Sequence, residues 1–228
     1  MDEAATKSSG ISLKQALGIP LNVLCFLFLM VLAWGSWAGF FAHPARIGVV
    51  VVHLLMMPVM TICTAGRSRG VRHEPDWKPF FPLLVFHSLF TAWVMPYMDA
   101  RDLFVLPGGD ALRYTGLVIL SLGALLRVWP MMTLGRRFAS VVAIQEGHKL
   151  HTAGIYRWAR HPSYVGILLM DVGFACVFRS SVAVLLLPLV FWMFHRRMDV
   201  EEALLVDAFG DEYKAYMGRS ARLLPGVY

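Results

Sequence analysis

Charged residues are scarce in this sequence, and that scarcity excludes a soluble globular domain. Only 16% of the 228 residues are charged, against about 25% in soluble domains, whereas 57% are hydrophobic. A chain with so little polar surface cannot face water on all sides. The composition therefore predicts an all-α, polytopic membrane protein that folds as one transmembrane helix bundle.

Cysteine is also scarce, which argues against disulfide bonds and cysteine-based metal sites. The three cysteines, Cys25, Cys63 and Cys176, lie far apart in apolar runs and form no C-x-x-C pair. Cysteines in such surroundings act as small buried hydrophobic residues. We therefore expect no metal.

Five hydrophobic runs account for the expected membrane segments. Four have about the 20 residues that cross a 30 Å hydrocarbon core, and they are residues 20–41, 47–65, 80–98 and 112–134. The fifth, residues 165–194, is too long for one span and is interrupted at Arg179, Ser180 and Ser181. We predict a helical hairpin there, with legs of about 14 and 13 residues, and keep one long tilted helix as the alternative. This gives five to six membrane segments.

The distribution of lysine and arginine predicts the orientation of the bundle. With the N-terminus in the cytoplasm and six passes, only Arg46, Arg101, Arg113 and Arg179 face the other side. The positive-inside rule favours this arrangement. Both termini and residues 145–166 are then expected in the cytoplasm. The net charge of +6 is modest, and its cations lie between apolar segments, which argues against a nucleic-acid partner and favours membrane lipids.

Residues 145–166, QEGHKLHTAGIYRWARHPSYVG, combine imidazoles, aromatic rings, cations and glycines, a mix that is typical of ligand sites. Pro162 keeps His161 out of helical geometry, so a helix that begins near Pro162 would direct unpaired N–H groups at a ligand. The residue chemistry alone leaves two interpretations open. One is a pocket for a polar, aromatic small molecule, and the other is a juxtamembrane loop that binds lipid phosphates.

After residue 194 the chain alternates acidic and apolar residues, which is consistent with a partly buried amphipathic helix. Arg197 and Glu201 are four residues apart and share a helix face. A solvated intrahelical ion pair is the alternative interpretation of these two residues. Gly210 is the predicted helix stop, and Asp211 is the predicted N-cap of a second short helix.

Two ordered blocks resemble the signature of the isoprenylcysteine carboxyl methyltransferase family, and the resemblance covers roughly residues 112–228. The first block lies in residues 148–166 and includes R-H-P-S-Y-V-G; the second comprises Arg197, Glu201 and Glu202, then F-G-D-E-Y at 209–213 and R-L-L-P at 222–225. The resemblance implies an integral membrane enzyme that transfers a methyl group from S-adenosylmethionine to a lipophilic substrate from the bilayer. It also implies a cytoplasmic cofactor pocket, capped by the C-terminal helices. The absence of a G-x-G-x-x-G loop agrees with a cofactor site that is not of the Rossmann type.

The same resemblance implies roles for individual residues and divides the single domain into N-terminal helices, 19–134, and a cofactor-binding and catalytic part, 135–228. Arg197, Glu201 and Glu202 would be catalytic. The cofactor-binding residues would be Gln145, His148, Leu150, Gly154, Tyr156, Arg160, His161, Pro162, Tyr164, Gly166 and Glu202. The candidate substrate contacts are Arg127, Trp129 and Asp171, since ionisable residues in membrane segments are rare and often functional, although Arg127 and Asp171 could instead pair with each other.

Several functions remain open at this point. A carboxylate O-methyltransferase acting on isoprenylcysteine is the function most similar to the signature, and a phospholipid N-methyltransferase or a thiol S-methyltransferase would use the same arrangement. Two alternatives from other classes are an NADPH-dependent membrane reductase and a non-enzymatic lipid-binding or transport protein.

Overall fold

Helices make up almost all of the part of the chain that the structure describes. The computed structural model describes residues 13–65, 72–73, 80–134, 143–144 and 150–226. Its helices are α1 Leu13–Trp34, α2 Trp37–Phe41, α3 Pro44–Ala65, α4 Phe80–Asp99, α5 Gly109–Leu134, α6 Pro162–Val177, α7 Ser181–Phe209 and α8 Asp211–Met217. A short 3₁₀ helix covers Gly154–Arg157, and the two-residue strands β1 Arg72–His73 and β2 Ala143–Ile144 pair antiparallel.

The helix bundle confirms the predicted integral membrane fold. Within the described residues, three helices are long and apolar enough to cross a membrane, over Pro44–Ile62, Gly109–Thr133 and Ser181–Phe209, and two shorter apolar stretches cover Pro20–Trp34 and Pro162–Val177. The first predicted span, residues 20–41, is divided rather than continuous. Gly35 adopts a φ of +83°, which ends α1, and the Ser36 hydroxyl then accepts a hydrogen bond from the Gly39 amide at 3.1 Å to begin α2.

Residues 165–194 belong to two helices that are joined by a short turn. The predicted hairpin is therefore confirmed, and the alternative of one long helix is wrong. Arg179 takes a φ of +44°, and the Ser180 hydroxyl caps α7 by accepting from the Ala183 amide at 3.3 Å. The expected legs are too short, because α6 has 16 residues and α7 has 29. The second leg and the expected amphipathic helix of the tail are one continuous helix.

Because α7 is long, the second sequence block lies at the same height along the bundle as the first, measured from the α6–α7 turn. At 1.5 Å per residue, the 16 residues of α6 rise about 24 Å from the turn to Pro162. The same rise along α7 reaches Arg197. All 29 residues of α7 extend about 43 Å, which is longer than the roughly 30 Å thickness of a hydrocarbon core. Gly210 ends α7 as predicted, whereas Asp211 is the first residue of α8 and Gly210 occupies its N-cap position.

Four glycines allow α5 and α6 to pack backbone to backbone. A Cβ atom on any of them would lie within 2.7 Å of a backbone atom of the facing helix, and they are Gly116 and Gly123 on α5 and Gly166 and Gly173 on α6. Two residues seven apart on each helix lie on one face, so the pairs form one continuous seam. Small residues at such seams let membrane helices approach closely.

The end of the bundle at the α6–α7 turn is held together by a buried carboxylate. Asp99 of α4 accepts from Arg113 of α5 at 2.5 and 2.9 Å and from Arg179 Nε at 2.8 Å, and its side chain is fully buried. Arg46 and Arg101 lie at this same end, where they donate to the carbonyl oxygens of Phe40 and Ala33. The four arginines that the charge pattern assigns to one side of the membrane therefore share one end of the bundle.

The glycine seam predicts the effect of adding one methyl group. The Cβ of Gly173→Ala would lie 2.7 Å from the Gly116 carbonyl oxygen, so α6 has to move away from α5, and we expect a loss of about 1–3 kcal/mol of stability. Gly218→Ala is the matched control, because its Cβ would meet no atom closer than 3.7 Å. Thermal unfolding of both variants in detergent measures the difference, and equal unfolding midpoints would contradict the close helix contact.

Candidate active site

The two sequence blocks are joined through their backbones at the end of the bundle opposite Asp99. The amides of Arg160 and His161 donate to the carbonyl oxygens of Ala221 and Arg222 at 2.9 and 3.1 Å, and the Ala221 amide donates to the Trp158 carbonyl oxygen at 3.0 Å. The C-terminal segment therefore lies against the residues that precede α6. This pairing, together with the level of Arg197 on α7, forms the site.

Glu201 is the first of two adjacent carboxylates at the centre of the site. Its Oε1 atom accepts from the Tyr164 hydroxyl at 2.5 Å and from Arg197 Nε at 3.2 Å, and its Oε2 atom lies 3.4 Å from His161 Nδ1. The Arg197 side chain is almost completely buried, with its guanidinium carbon 5.0 Å from the centre of the Phe80 ring at the start of α4. Glu201 thus fixes one cation and one hydroxyl in a buried position.

Glu202 carries a separate set of contacts. Its Oε1 atom accepts from Arg160 Nε at 2.8 Å and lies 3.1 Å from His161 Nε2, and its Oε2 atom lies 3.2 Å from Arg222 Nε. Arg160 also donates to the Met217 and Ser220 carbonyl oxygens, so it connects Glu202 of α7 to the end of α8 and to the residues that follow it. A buried carboxylate needs such partners, because an uncompensated charge is costly away from water.

His161 lies between the two glutamates and carries the charge that allows both to stay ionised. Both ring nitrogens face a carboxylate, and an imidazole can donate from both only when it is protonated. Burial by itself would lower the pKa of His161, but the hydrogen bonds to Glu201 and Glu202 outweigh burial and raise the pKa above its usual 6.5. The Tyr164 ring stacks on the imidazole, with centroids 5.5 Å apart, and limits access of water.

A group of buried tyrosines continues the site toward α8. The Tyr216 hydroxyl donates to the Tyr156 carbonyl oxygen at 2.6 Å, and burial raises the pKa of Tyr216 to about 12, so the hydroxyl stays protonated. Burial likewise raises the pKa of Tyr156 and of Tyr213. These rings supply apolar faces without adding charge.

His151 is a candidate site residue that the sequence analysis does not select. Its ring meets the Tyr156 ring edge to face at 5.5 Å, and its buried Nε2 atom has no hydrogen-bond partner among the described residues. Buried polar atoms are almost always paired, so an unpaired one is a candidate for contact with a ligand. The sequence offers one signal for a functional role of His151, which is its place within the histidine-rich residues 145–166. In that segment the family signature matches His148 rather than His151.

The other predicted cofactor residues differ in their burial and in their surroundings. Gln145 and His148 fall outside the described residues. Leu150 is partly buried, Gly154 is exposed with a φ of +62° where it begins the 3₁₀ helix, and Pro162 is the buried first residue of α6. Gly166 lies in the glycine seam against the backbone of Arg127, which gives it a packing role.

The three candidate substrate residues have separate surroundings. Arg127 Nη1 donates to the Ser163 hydroxyl at 2.5 Å, next to the start of α6. Asp171 lies further along α6, where its Oδ1 atom is 3.4 Å from His87 Nε2 on α4. Trp129 is exposed on α5. Arg127 therefore lies near the site, whereas Asp171 pairs with a different helix.

The raised pKa of His161 predicts how stability depends on pH. A group whose pKa rises on folding stabilises the folded state. This stabilisation is complete at pH values below the pKa of the group in the unfolded chain, and it disappears as the pH rises through the pKa of the group in the folded chain. Below pH 6.5 we expect His161→Gln to cost about 3–5 kcal/mol, because two glutamates lose their buried cation. Unfolding midpoints from pH 6 to pH 9 should show this cost shrinking as the pH rises. His195→Gln, at a half-exposed imidazole, is the control, and a pH-independent cost for His161→Gln would contradict the assigned charge.

Comparison with known proteins shows which proteins the region that contains these residues is similar to. Residues 115–207 match the model of the isoprenylcysteine carboxyl methyltransferase (ICMT) family. The chain is 41% identical over 105 residues to the protein-S-isoprenylcysteine O-methyltransferase of Schizosaccharomyces pombe, covering 45% of this chain and 44% of the relative. It is 36% identical over 117 residues to a probable protein-S-isoprenylcysteine O-methyltransferase of Oryza sativa subsp. japonica, covering 50% and 61%. It is 37% identical over 119 residues to the human protein-S-isoprenylcysteine O-methyltransferase, covering 51% and 42%.

The match to these relatives is partial in both directions, since the chain spans 42–61% of their length. Among solved structures, the chain aligns with a eukaryotic intramembrane Ras methyltransferase ICMT at 20% identity and a TM-score of 0.48, over 95% of this chain and 96% of that one. Over residues 115–207, which hold His161, Glu201 and Glu202, this chain is similar to the isoprenylcysteine carboxyl methyltransferase family.

Proposed function

We propose that this chain is an S-adenosylmethionine-dependent methyltransferase that esterifies a carboxylate on a prenylated cysteine. The observation that carries the proposal is the cluster in which Glu201 and Glu202 share the protonated His161 between them. This cluster lies where the family's two sequence blocks meet. The names of the relatives, which are isoprenylcysteine O-methyltransferases, support the choice of reaction.

The residues at the site suit a methyl donor that carries an adenine ring and an amino-acid group. Tyr156 offers an aromatic face beside His151, whose buried Nε2 atom has no partner among the described residues and can accept or donate one hydrogen bond. Leu150, which is partly buried, offers apolar surface. S-adenosylmethionine, when bound, supplies an electrophilic methyl group. Gln145 and His148 remain predicted contacts on the same side.

The charge state of the site favours a carboxylate as the nucleophile. Methylation of an amine or a thiol requires removal of a proton, whereas a carboxylate is already ionised at neutral pH. The cluster offers no ready base, because both ring nitrogens of His161 face carboxylates and both glutamates are engaged by cations. The site therefore suits a reaction that depends on alignment and exclusion of water rather than on proton transfer.

Arg197 is the residue best placed to orient that carboxylate. Glu201 and the Phe80 ring hold its side chain in one buried position. A guanidinium presents a planar set of donors that matches a carboxylate, which a lysine cannot reproduce. Tyr164 and Phe194, with ring centroids 5.1 Å apart, add an aromatic wall beside it, which suits a substrate that arrives with a prenyl chain.

The reaction is tested by transfer of a labelled methyl group from S-adenosylmethionine. The acceptors are an N-acetyl S-farnesylcysteine, the same amino acid without the prenyl group, and phosphatidylethanolamine. We expect label only on the prenylated cysteine, as a base-labile ester. Arg197→Lys should lower kcat/KM about 100-fold, because the carboxylate loses its alignment. Glu212→Gln, at an exposed residue of α8, should keep full activity. Label on the phospholipid alone, or no effect of Arg197→Lys, would contradict the proposal.

The cytoplasmic orientation of the site is tested by labelling of introduced cysteines. In a variant without the three native cysteines, Lys214→Cys on α8 should react with a membrane-impermeant maleimide only after the cell membrane is opened. Asp102→Cys, at the exposed end of the bundle near Asp99, should react in intact cells. The Lys/Arg bias predicts this pattern through the positive-inside rule. The reverse pattern would place the site outside the cytoplasm.

A further inference from the structure

A shallow cleft lies beside the active site and contains none of the residues assigned to the reaction. Its volume is about 490 Å³, which is within the range of sites for small molecules. One wall is formed by Arg157 and Trp158, at the end of the 3₁₀ helix. The lining from the C-terminal segment consists of Gly218, Arg219, Ser220, Ala221, Pro225 and Gly226.

The two arginines of the cleft differ from the other arginines nearby. Arg160, Arg197 and Arg222 each face a carboxylate within 3.2 Å. In the described part of the chain, Arg157 and Arg219 form no ion pair, and both side chains are exposed. Among the described residues that line the cleft, none is acidic. The described lining therefore carries net positive charge, which favours an anionic ligand.

The walls of the cleft are fixed to each other before any ligand binds. The Ala221 amide donates to the Trp158 carbonyl oxygen, and Arg160 donates to the Ser220 carbonyl oxygen from the other side. The Ser220 hydroxyl donates to the Tyr216 carbonyl oxygen at 2.7 Å. Because these contacts already hold the two segments together, a ligand would not have to order them, and less binding energy is lost.

The position of the cleft indicates that its ligand belongs to the membrane surface. Trp158 precedes the apolar helix α6 by about one helical turn, and its side chain is 60% exposed, with Arg157 5.5 Å from the ring centre. Leu224, next to the lining residue Pro225, is 49% exposed. Exposed tryptophan and leucine next to cations are typical of the membrane–water interface, where phosphate headgroups lie.

We propose that this cleft binds the phosphate headgroup of an anionic membrane lipid, with Arg157 and Arg219 as the cationic contacts and Trp158 at the level of the headgroups. The binding holds the C-terminal segment against the membrane surface. The proposal is independent of the methyl-transfer reaction, so either can fail without the other.

Lipid binding to the detergent-purified full chain tests this site. Dioleoyl phosphatidylglycerol and dioleoyl phosphatidylcholine serve as probes, and native mass spectrometry measures how much of each remains bound. We expect wild type to bind phosphatidylglycerol preferentially. The double variant Arg157→Gln with Arg219→Gln should bind it about 30-fold more weakly, because two surface cations are lost. The control is Arg196→Gln, which removes an exposed cation of α7 outside the cleft and should change the affinity less than twofold.

Competition and salt separate the lipid from other anions. Inorganic phosphate and a hexaglutamate peptide should displace little phosphatidylglycerol at millimolar concentration, and 500 mM NaCl should weaken its binding to wild type. Unchanged affinity of the double variant, or equal weakening by Arg196→Gln, would overturn the proposal. So would displacement by free phosphate, which indicates a soluble anion, or by the peptide, which indicates an acidic protein partner. If the double variant does not fold, a salt-independent affinity of wild type is sufficient to overturn it.

Discussion

One imidazolium shared by two adjacent carboxylates determines how this end of the bundle is built. Glu201 and Glu202 follow each other on α7 and point toward the same histidine, which is possible because the first lies toward α6 and the second toward the C-terminal segment. Each also engages an arginine of its own, Arg197 or Arg160. Without the charge on His161, two carboxylates would be buried next to each other with less compensation, and burial of like charges is costly. The cluster therefore joins three parts of the chain through electrostatics rather than through apolar packing.

The membrane part of the fold sets the height at which this cluster forms. The glycine seam holds α5 and α6 in direct backbone contact, and the buried Asp99 fixes the opposite end of the bundle through Arg113 and Arg179. From that fixed end, equal rises along α6 and α7 bring Pro162 and Arg197 level with each other. A polar site at the edge of an apolar bundle thus depends on a buried ion cluster at the other end of α6, roughly 24 Å away by the rise of that helix.

Much of this architecture can be predicted from the sequence, because the membrane helices correspond to continuous apolar runs along the chain. The hairpin is predictable since Arg179 and the two serines interrupt an otherwise continuous run, and the α7–α8 boundary is predictable from Gly210. The resemblance to the family selects Arg160, His161, Tyr164, Glu201 and Glu202, and the structure brings these five together. What sequence patterns miss are contacts between distant segments. Arg222 pairs with Glu202 across the tail, Gly166 contacts α5, and the buried Nε2 atom of His151 has no hydrogen-bond partner in the described part of the chain.

Arginines that form ion pairs and exposed arginines that form none mark two different sites in the described C-terminal part of the chain. Where arginines face carboxylates, the charges cancel locally, water is excluded, and the groups are held in fixed positions, which suits alignment of two reactants. Where Arg157 and Arg219 face solvent, the charge is available to a ligand and its effect weakens with salt. A single segment, residues 154–161, contributes to both, since Arg157 lines the cleft while Arg160 and His161 hold Glu202. The cleft and the candidate active site are therefore neighbours that share a short stretch of backbone, from Arg157 to His161.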